Sequence, residues 1–102
     1  MEHMALTETT YYILLSLYEP LHGYGIMQRA AELSGGRVRL AAGTLYGALN
    51  ALVEKGWITL LPGAGPKKEY RLTPRGLEIL KKELARLREL VASGDLVLKE
   101  EA

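Results

Sequence analysis

Residues able to do chemistry are sparse in this chain, and they concentrate between positions 37 and 68. Within residues 43–58, GTLYGALNALVEKGWI, the apolar Leu45, Leu49, Leu52 and Val53 recur at helical spacing and mark a face to be buried. The opposite face offers Gly43, Thr44, Gly47, Ala48, Asn50 and Ala51, all small or hydrogen-bonding. On so slim a helix, an asparagine such as Asn50 can pair with adenine N6 and N7 in a major groove. The hydroxyls of Thr44 and Tyr46 and the ammonium groups of Lys67 and Lys68 are donors of the kind that hold phosphates. Arg37 and Arg39 flank the helix entrance, where they either touch a nucleic-acid backbone or keep an exposed strand soluble. No basic residue precedes Lys55 in this helix, so a bidentate arginine contact to guanine is unavailable from it.

Catalytic and metal chemistry find no constellation. The two histidines, His3 and His22, lack the spacing of paired metal ligands, and the absence of cysteine excludes disulfides and thiolate sites. Gly63-Ala64-Gly65-Pro66-Lys67 faintly echoes a phosphate loop, but it lacks the Gly-Lys-Ser/Thr ending and precedes a strand instead of a helix. No enzyme activity, cofactor or metal is expected.

The elements that must position these residues can be read in order. Residues 7–18 read as a helix capped by Thr7, with Tyr11, Leu14, Leu15 and Tyr18 on one side, Ile13 and Leu17 widening the apolar surface, and Pro20 stopping it. A turn at 21–25 opens a second helix to Leu33 whose inner face reads Tyr24, Met27, Ala30 and Leu33, ended by Ser34-Gly35-Gly36. Residues 37–40 alternate charged and apolar, a short strand or extended linker. The helix at 43–55 follows and stops at Gly56. Two strand-like runs, 57–61 and 67–72, around a Gly/Pro-rich turn read as a hairpin. Thr73-Pro74 opens a last helix with a cap and a proline at its first position. Leu77, Leu80, Leu84, Leu87 and Val91 step along it, and Ser93-Gly94 is expected to end it.

The order helix, helix, helix, hairpin, helix predicts a mainly α (α+β) fold, a winged helix-turn-helix with an added C-terminal dimerisation helix. Residues 5–73 form the winged unit in this reading, 74–93 the dimerisation helix and 94–102 a flexible tail. A chain of 102 residues with 48% hydrophobic content suits one core of marginal stability, for which burial against a partner is useful. The net charge of +1 argues neither for nor against nucleic acid, because a binding patch is a local feature. Apolar runs fall far short of the roughly 20 residues that span a bilayer, and no signal peptide is evident, so no membrane role and a cytoplasmic location are expected.

With these residues in view, the chain resembles the PadR family of bacterial transcriptional regulators over about residues 6–92. The likeness rests on His22-Gly23-Tyr24-Gly25-Ile26, on Gly43-Thr44-Leu45-Tyr46 with Leu49, Leu52 and Gly56, and on Tyr70-Arg71-Leu72-Thr73 with Gly76. It implies a homodimer built through the C-terminal helix, which assigns Leu77, Leu80, Leu84, Leu87 and Val91 to that contact. It also implies repression from double-stranded DNA at a pseudo-palindromic operator, and an apolar space between subunits that takes flat aromatic or drug-like effectors. Tyr11, Tyr12 and Leu15 on the first helix are the candidates for that space. The chain departs from the family at Ala41-Ala42, where serine and often proline are usual. Alanine cannot accept the free helix amides, at a cost of about 1 kcal/mol. The same residues admit one alternative, a small-molecule or protein-interaction module on a winged-helix frame without specific DNA binding.

Overall fold

The computed structural model describes residues 5–62 and 68–99. Helix α1 spans Glu8–Ser16, strand β1 Leu21–His22, helix α2 Gly23–Leu33, helix α3 Ala42–Glu54, strand β2 Ile58–Leu60, strand β3 Glu69–Leu72 and helix α4 Pro74–Leu98. The fold is mainly helical with a small sheet, the winged helix-turn-helix with a further C-terminal helix.

Each boundary has a local cause. The Thr7 hydroxyl accepts from the Thr10 amide at 3.1 Å and starts α1. Nδ1 of His22 accepts from the Gly25 amide at 3.1 Å and caps α2. Helices α2 and α3 close alike: Gly36 N–H donates to Ala31 O at 2.8 Å, and Trp57 N–H to Leu52 O at 3.1 Å. Such six-to-one bonds require the residue after the cap to turn left-handed, and Gly35 (φ 64°) and Gly56 (φ 78°) do so.

The sheet is antiparallel in the order β1-β3-β2, with Leu21 opposite Tyr70 and Leu60 also opposite Tyr70. β3 is thus central, which buries Tyr70. The expected hairpin is present; β1, read from sequence as a turn, adds a third strand because His22 pairs with Glu69 before α2 begins.

The core is Ile13, Leu14, Leu17, Ile26, Leu45, Leu49, Leu52, Ile58, Tyr70, Ile79 and Leu80. Three expected faces need correction. In α2 the buried residues are Gly23, Ile26 and Ala30, while Tyr24 is exposed; the ring of Tyr46 lies over Gly23, so that glycine has to face inward. In α1 the helix ends two residues before Tyr18, which leaves that ring outside. In α3 Val53 is 39% exposed, because it lies at the margin of the arc that Leu45, Leu49 and Leu52 bury.

Helix α4 departs most from expectation. It runs through Ser93 and Gly94 to Leu98, so residues 94–98 of the expected tail are helical. A mid-helix glycine costs about 1 kcal/mol, and ends a helix only when the chain turns left-handed there. Gly94 has no positive φ, and neither a second glycine nor a proline follows it, in contrast to Gly35-Gly36. The start of α4 is pinned: Thr73 Oγ1 accepts from the Gly76 amide at 3.0 Å and donates to Gly56 O at 2.6 Å. Gly76 sits against the Trp57 carbonyl, where a Cβ has no room. This rotation sends Ile79, Leu80 and Glu83 inward. Buried Glu83 accepts from Leu6 N at 3.2 Å and forms two bonds with Arg86 at 2.8 and 2.7 Å.

Candidate nucleic-acid interface

Burial of Leu45, Leu49 and Leu52 fixes which way α3 faces. The opposite side presents Gly43, Thr44, Gly47, Asn50, Ala51 and Glu54 to solvent. A Cβ built on Gly43 or Gly47 would meet nothing within 4 Å, so another molecule can approach the helix backbone closely. Ala41 occupies the N-cap without a side-chain bond, as its chemistry requires, and the first amides of α3 stay open to an external acceptor.

Tyr46 lies beside this face and is 45% exposed; its hydroxyl end stacks on Gly23 at the start of α2. The phenol of Tyr70 is held above its ordinary value chiefly by burial, with a further electrostatic contribution from Tyr46. Tyr46 therefore links α3 to the start of α2 while keeping an exposed edge. Lys68 is exposed just before β3; Lys67 lies outside the described residues.

The two arginines at the helix entrance are engaged within the chain. Arg37 grips Glu8 of α1 through two bonds, Nε–Oε2 at 3.1 Å and a second guanidinium nitrogen to Oε1 at 2.9 Å. The hydrogen bonding to Glu8, then the charge of that carboxylate, raise the Arg37 pKa above its usual value. Arg39 donates to Gly36 O at 3.1 Å and steadies the α2–α3 connection. Lys55 places its ammonium 4.8 Å from the centre of the Trp57 ring, a contact not anticipated from sequence.

The leucine stripe of α4 is divided. Leu80 is core and unavailable to a partner, a correction that follows from the pinned start of the helix. Leu77 and Leu87 are half-buried, and Leu84 and Val91 are exposed, Val91 by 62%. Sequence reading stopped too early: Leu90, Leu96, Val97 and Leu98 are exposed as well. Leu77, Leu84, Val91 and Leu98 recur every seventh residue, a signal that was available once Gly94 is not taken as a stop. Tyr11, Tyr12 and Leu15 are half-buried, with the two tyrosine rings edge to face at 5.5 Å. Tyr11 and Leu15 pack in part against the core. No helix among the described residues is long and apolar enough to cross a membrane.

Comparison with known proteins agrees with this architecture. Residues 12–82 match the family described as the transcriptional regulator PadR-like family. A PadR family transcriptional regulator from Eggerthella lenta superposes with a TM-score of 0.71 at 27% identity, covering 87% of this chain and 80% of that one. Bacillus subtilis PadR in complex with operator DNA gives a TM-score of 0.62 at 31% identity, over 74% of this chain and 45% of that one. RosR of H. salinarum gives 0.70 at 25% identity, over 95% and 100%. An uncharacterized 37.1 kDa protein in a transposon of Streptomyces fradiae is 42% identical over 64 residues, and the match spans only 18% of its length. A family match across most of the chain, carried by the same helices and hairpin that build the slim face, makes this protein a member of the PadR-like family of transcriptional regulators.

Proposed function

We propose that the chain binds double-stranded DNA as a homodimer, occupies a pseudo-palindromic operator as a repressor, and leaves it when an aromatic or drug-like effector binds between the subunits. The observation that carries this reading is the exposed face of α3, a rigid helix on three buried leucines whose other side has room for a groove edge. In such a complex α3 lies in the major groove, Thr44 and the exposed edge of Tyr46 meet phosphates, and Lys68 with Lys67 follows the backbone beside it. The operator complex of the Bacillus subtilis relative supports the DNA role.

Dimerisation is supported by the exposed members of the seven-residue repeat of α4, Leu84, Val91 and Leu98. Tyr11, Tyr12 and Leu15 are the residues offered to an effector. An effector would act only by binding the DNA-competent and DNA-incompetent arrangements unequally.

Selection from random duplexes, followed by binding across a salt series, tests the proposal. A two-fold-symmetric site bound far more tightly than random DNA, with log affinity falling linearly in log salt, is the expected result. Failure to enrich any site would overturn it and favour a small-molecule or protein-interaction module. Removing the chain after Leu87 spares the buried Ile79, Leu80 and Glu83 while deleting Leu90, Val91 and Leu96 to Leu98. The truncated protein should sediment as a monomer and bind the site weakly.

A further inference from the structure

The chemistry of the exposed α3 face limits which base pairs it can read. From Ala42 to Glu54 there is no arginine, lysine, histidine or glutamine. Its exposed polar side chains are Thr44, Tyr46, Asn50 and Glu54, and Tyr46 is held over Gly23 at the edge of the face. The cations flanking the helix in sequence have partners within the chain: Lys55 the Trp57 ring, Arg37 Glu8, and Arg39 the Gly36 carbonyl. Guanine presents two acceptors, N7 and O6, and its bidentate readout takes a double donor. This helix has none except the asparagine amide nitrogen, whose partner oxygen would face a second acceptor.

Adenine presents one acceptor and one donor, N7 and N6, which an asparagine side chain matches with both of its ends. Thymine adds a methyl group, and the exposed apolar surface beside Asn50 includes Ala51 and Val53. A short side chain reaches a base only if the backbone comes close. The open space over Gly43 and Gly47, about two turns and one turn before Asn50, permits that approach. Glu54, an acceptor only, lies one turn beyond Asn50, about 6 Å further along the axis and away from the helix start that enters the groove.

We propose that α3 reads A·T pairs: Asn50 takes an adenine through N6 and N7, Ala51 and Val53 pack on thymine methyls, and no guanine is read from this helix. The inference rests on the DNA-binding reading and names its target class.

The test uses the full chain and the selected duplex. Each half-site should contain an invariant A·T pair at which Asn50→Ala lowers affinity roughly 5- to 150-fold and relaxes the base preference. The slope of log affinity against log salt should stay unchanged, because no phosphate contact is lost. Replacing thymine by uracil in the half-sites, which removes only methyl groups, should weaken binding several-fold for the native protein. Asn50 is exposed on a helix, so unfolding curves of the variant should match or exceed the native ones. An enriched site whose invariant pair is G·C, a base preference unmoved by Asn50→Ala, or indifference to uracil would each overturn the inference while leaving DNA binding intact. Absence of any enriched site would overturn the DNA-binding reading and this inference together.

Discussion

Replacing Gly47 by alanine should raise the stability of the fold and lower its affinity for DNA. Gly47 lies inside α3, has no positive φ, and a Cβ added there meets nothing within 4 Å. The substitution therefore introduces neither strain nor collision within the chain. It removes the conformational freedom of an unfolded glycine, which is worth about 0.5–1 kcal/mol in a helix interior. For a domain of this size that corresponds to a rise of roughly 2–8 °C in midpoint. In the complex, the same methyl stands between the helix backbone and the groove edge. An extra methyl in a tightly packed contact costs about 1–3 kcal/mol, so affinity should fall about five-fold or more. Thermal unfolding at fixed protein concentration and titration against the selected duplex give the two numbers on one preparation. If Gly47→Ala and the bulkier Gly47→Leu both bind as the native chain does, α3 does not enter the groove by this face and the reasoning is refuted.

Other substitutions probe the frame beneath that face. Gly76→Ala would force a methyl against the Trp57 carbonyl and should destabilise by about 1–3 kcal/mol or prevent folding, read from denaturant midpoints. His22→Ala removes the side-chain acceptor at the start of α2 and should cost about 1 kcal/mol, while His22→Asn, which can still accept from Gly25 N–H, should recover most of it. The pKa of the Glu78 carboxyl lies below its ordinary value of 4.5, chiefly through its hydrogen bond with Arg75 and the charge of Lys82. A lowered folded value means that its stabilisation is complete above about pH 4.5 and is lost as pH falls through that folded value. Native protein should therefore lose stability more steeply than Glu78→Gln on acidification below that point, and identical acid limbs would contradict the pairing.

Much of the fold was legible because its stops and starts are chemically explicit. Thr7, Thr73-Pro74 and Gly56 each determine backbone geometry within a few residues, and each behaves in the structure as its type requires. Faces were harder. In α2 two sets of residues fit helical spacing equally, and the large Tyr24 looked like core; only the Tyr46 ring, from a distant part of the chain, decides that Gly23 turns inward. Likewise, nothing local says that Leu80 is core while Leu84 is exposed, since the rotation of α4 is set by Gly76 against Trp57. Arg37 shows the same limit at the site. Its type suggests phosphate contact, but its bidentate partner Glu8 is 29 residues away in sequence. The slim face of α3 was legible because it follows directly from where the three leucines must go.

The length of α4 gives it leverage. Its 25 residues extend about 37 Å, and the molecule measures 56 Å along its longest axis against 20 Å along its shortest. The base of the helix is clamped by Thr73, Gly76 and the bond from Leu6 N–H to Glu83, whereas its far half is largely exposed. A tilt of about 10° at that base sweeps the tip through about 6 Å. That displacement approaches two base-pair steps of about 3.4 Å each. In a dimer joined near the tips, a tilt of that size would move the two recognition helices out of phase with the successive turns of one duplex. Small changes where α4 meets α1 could then release an operator without altering any residue that touches DNA.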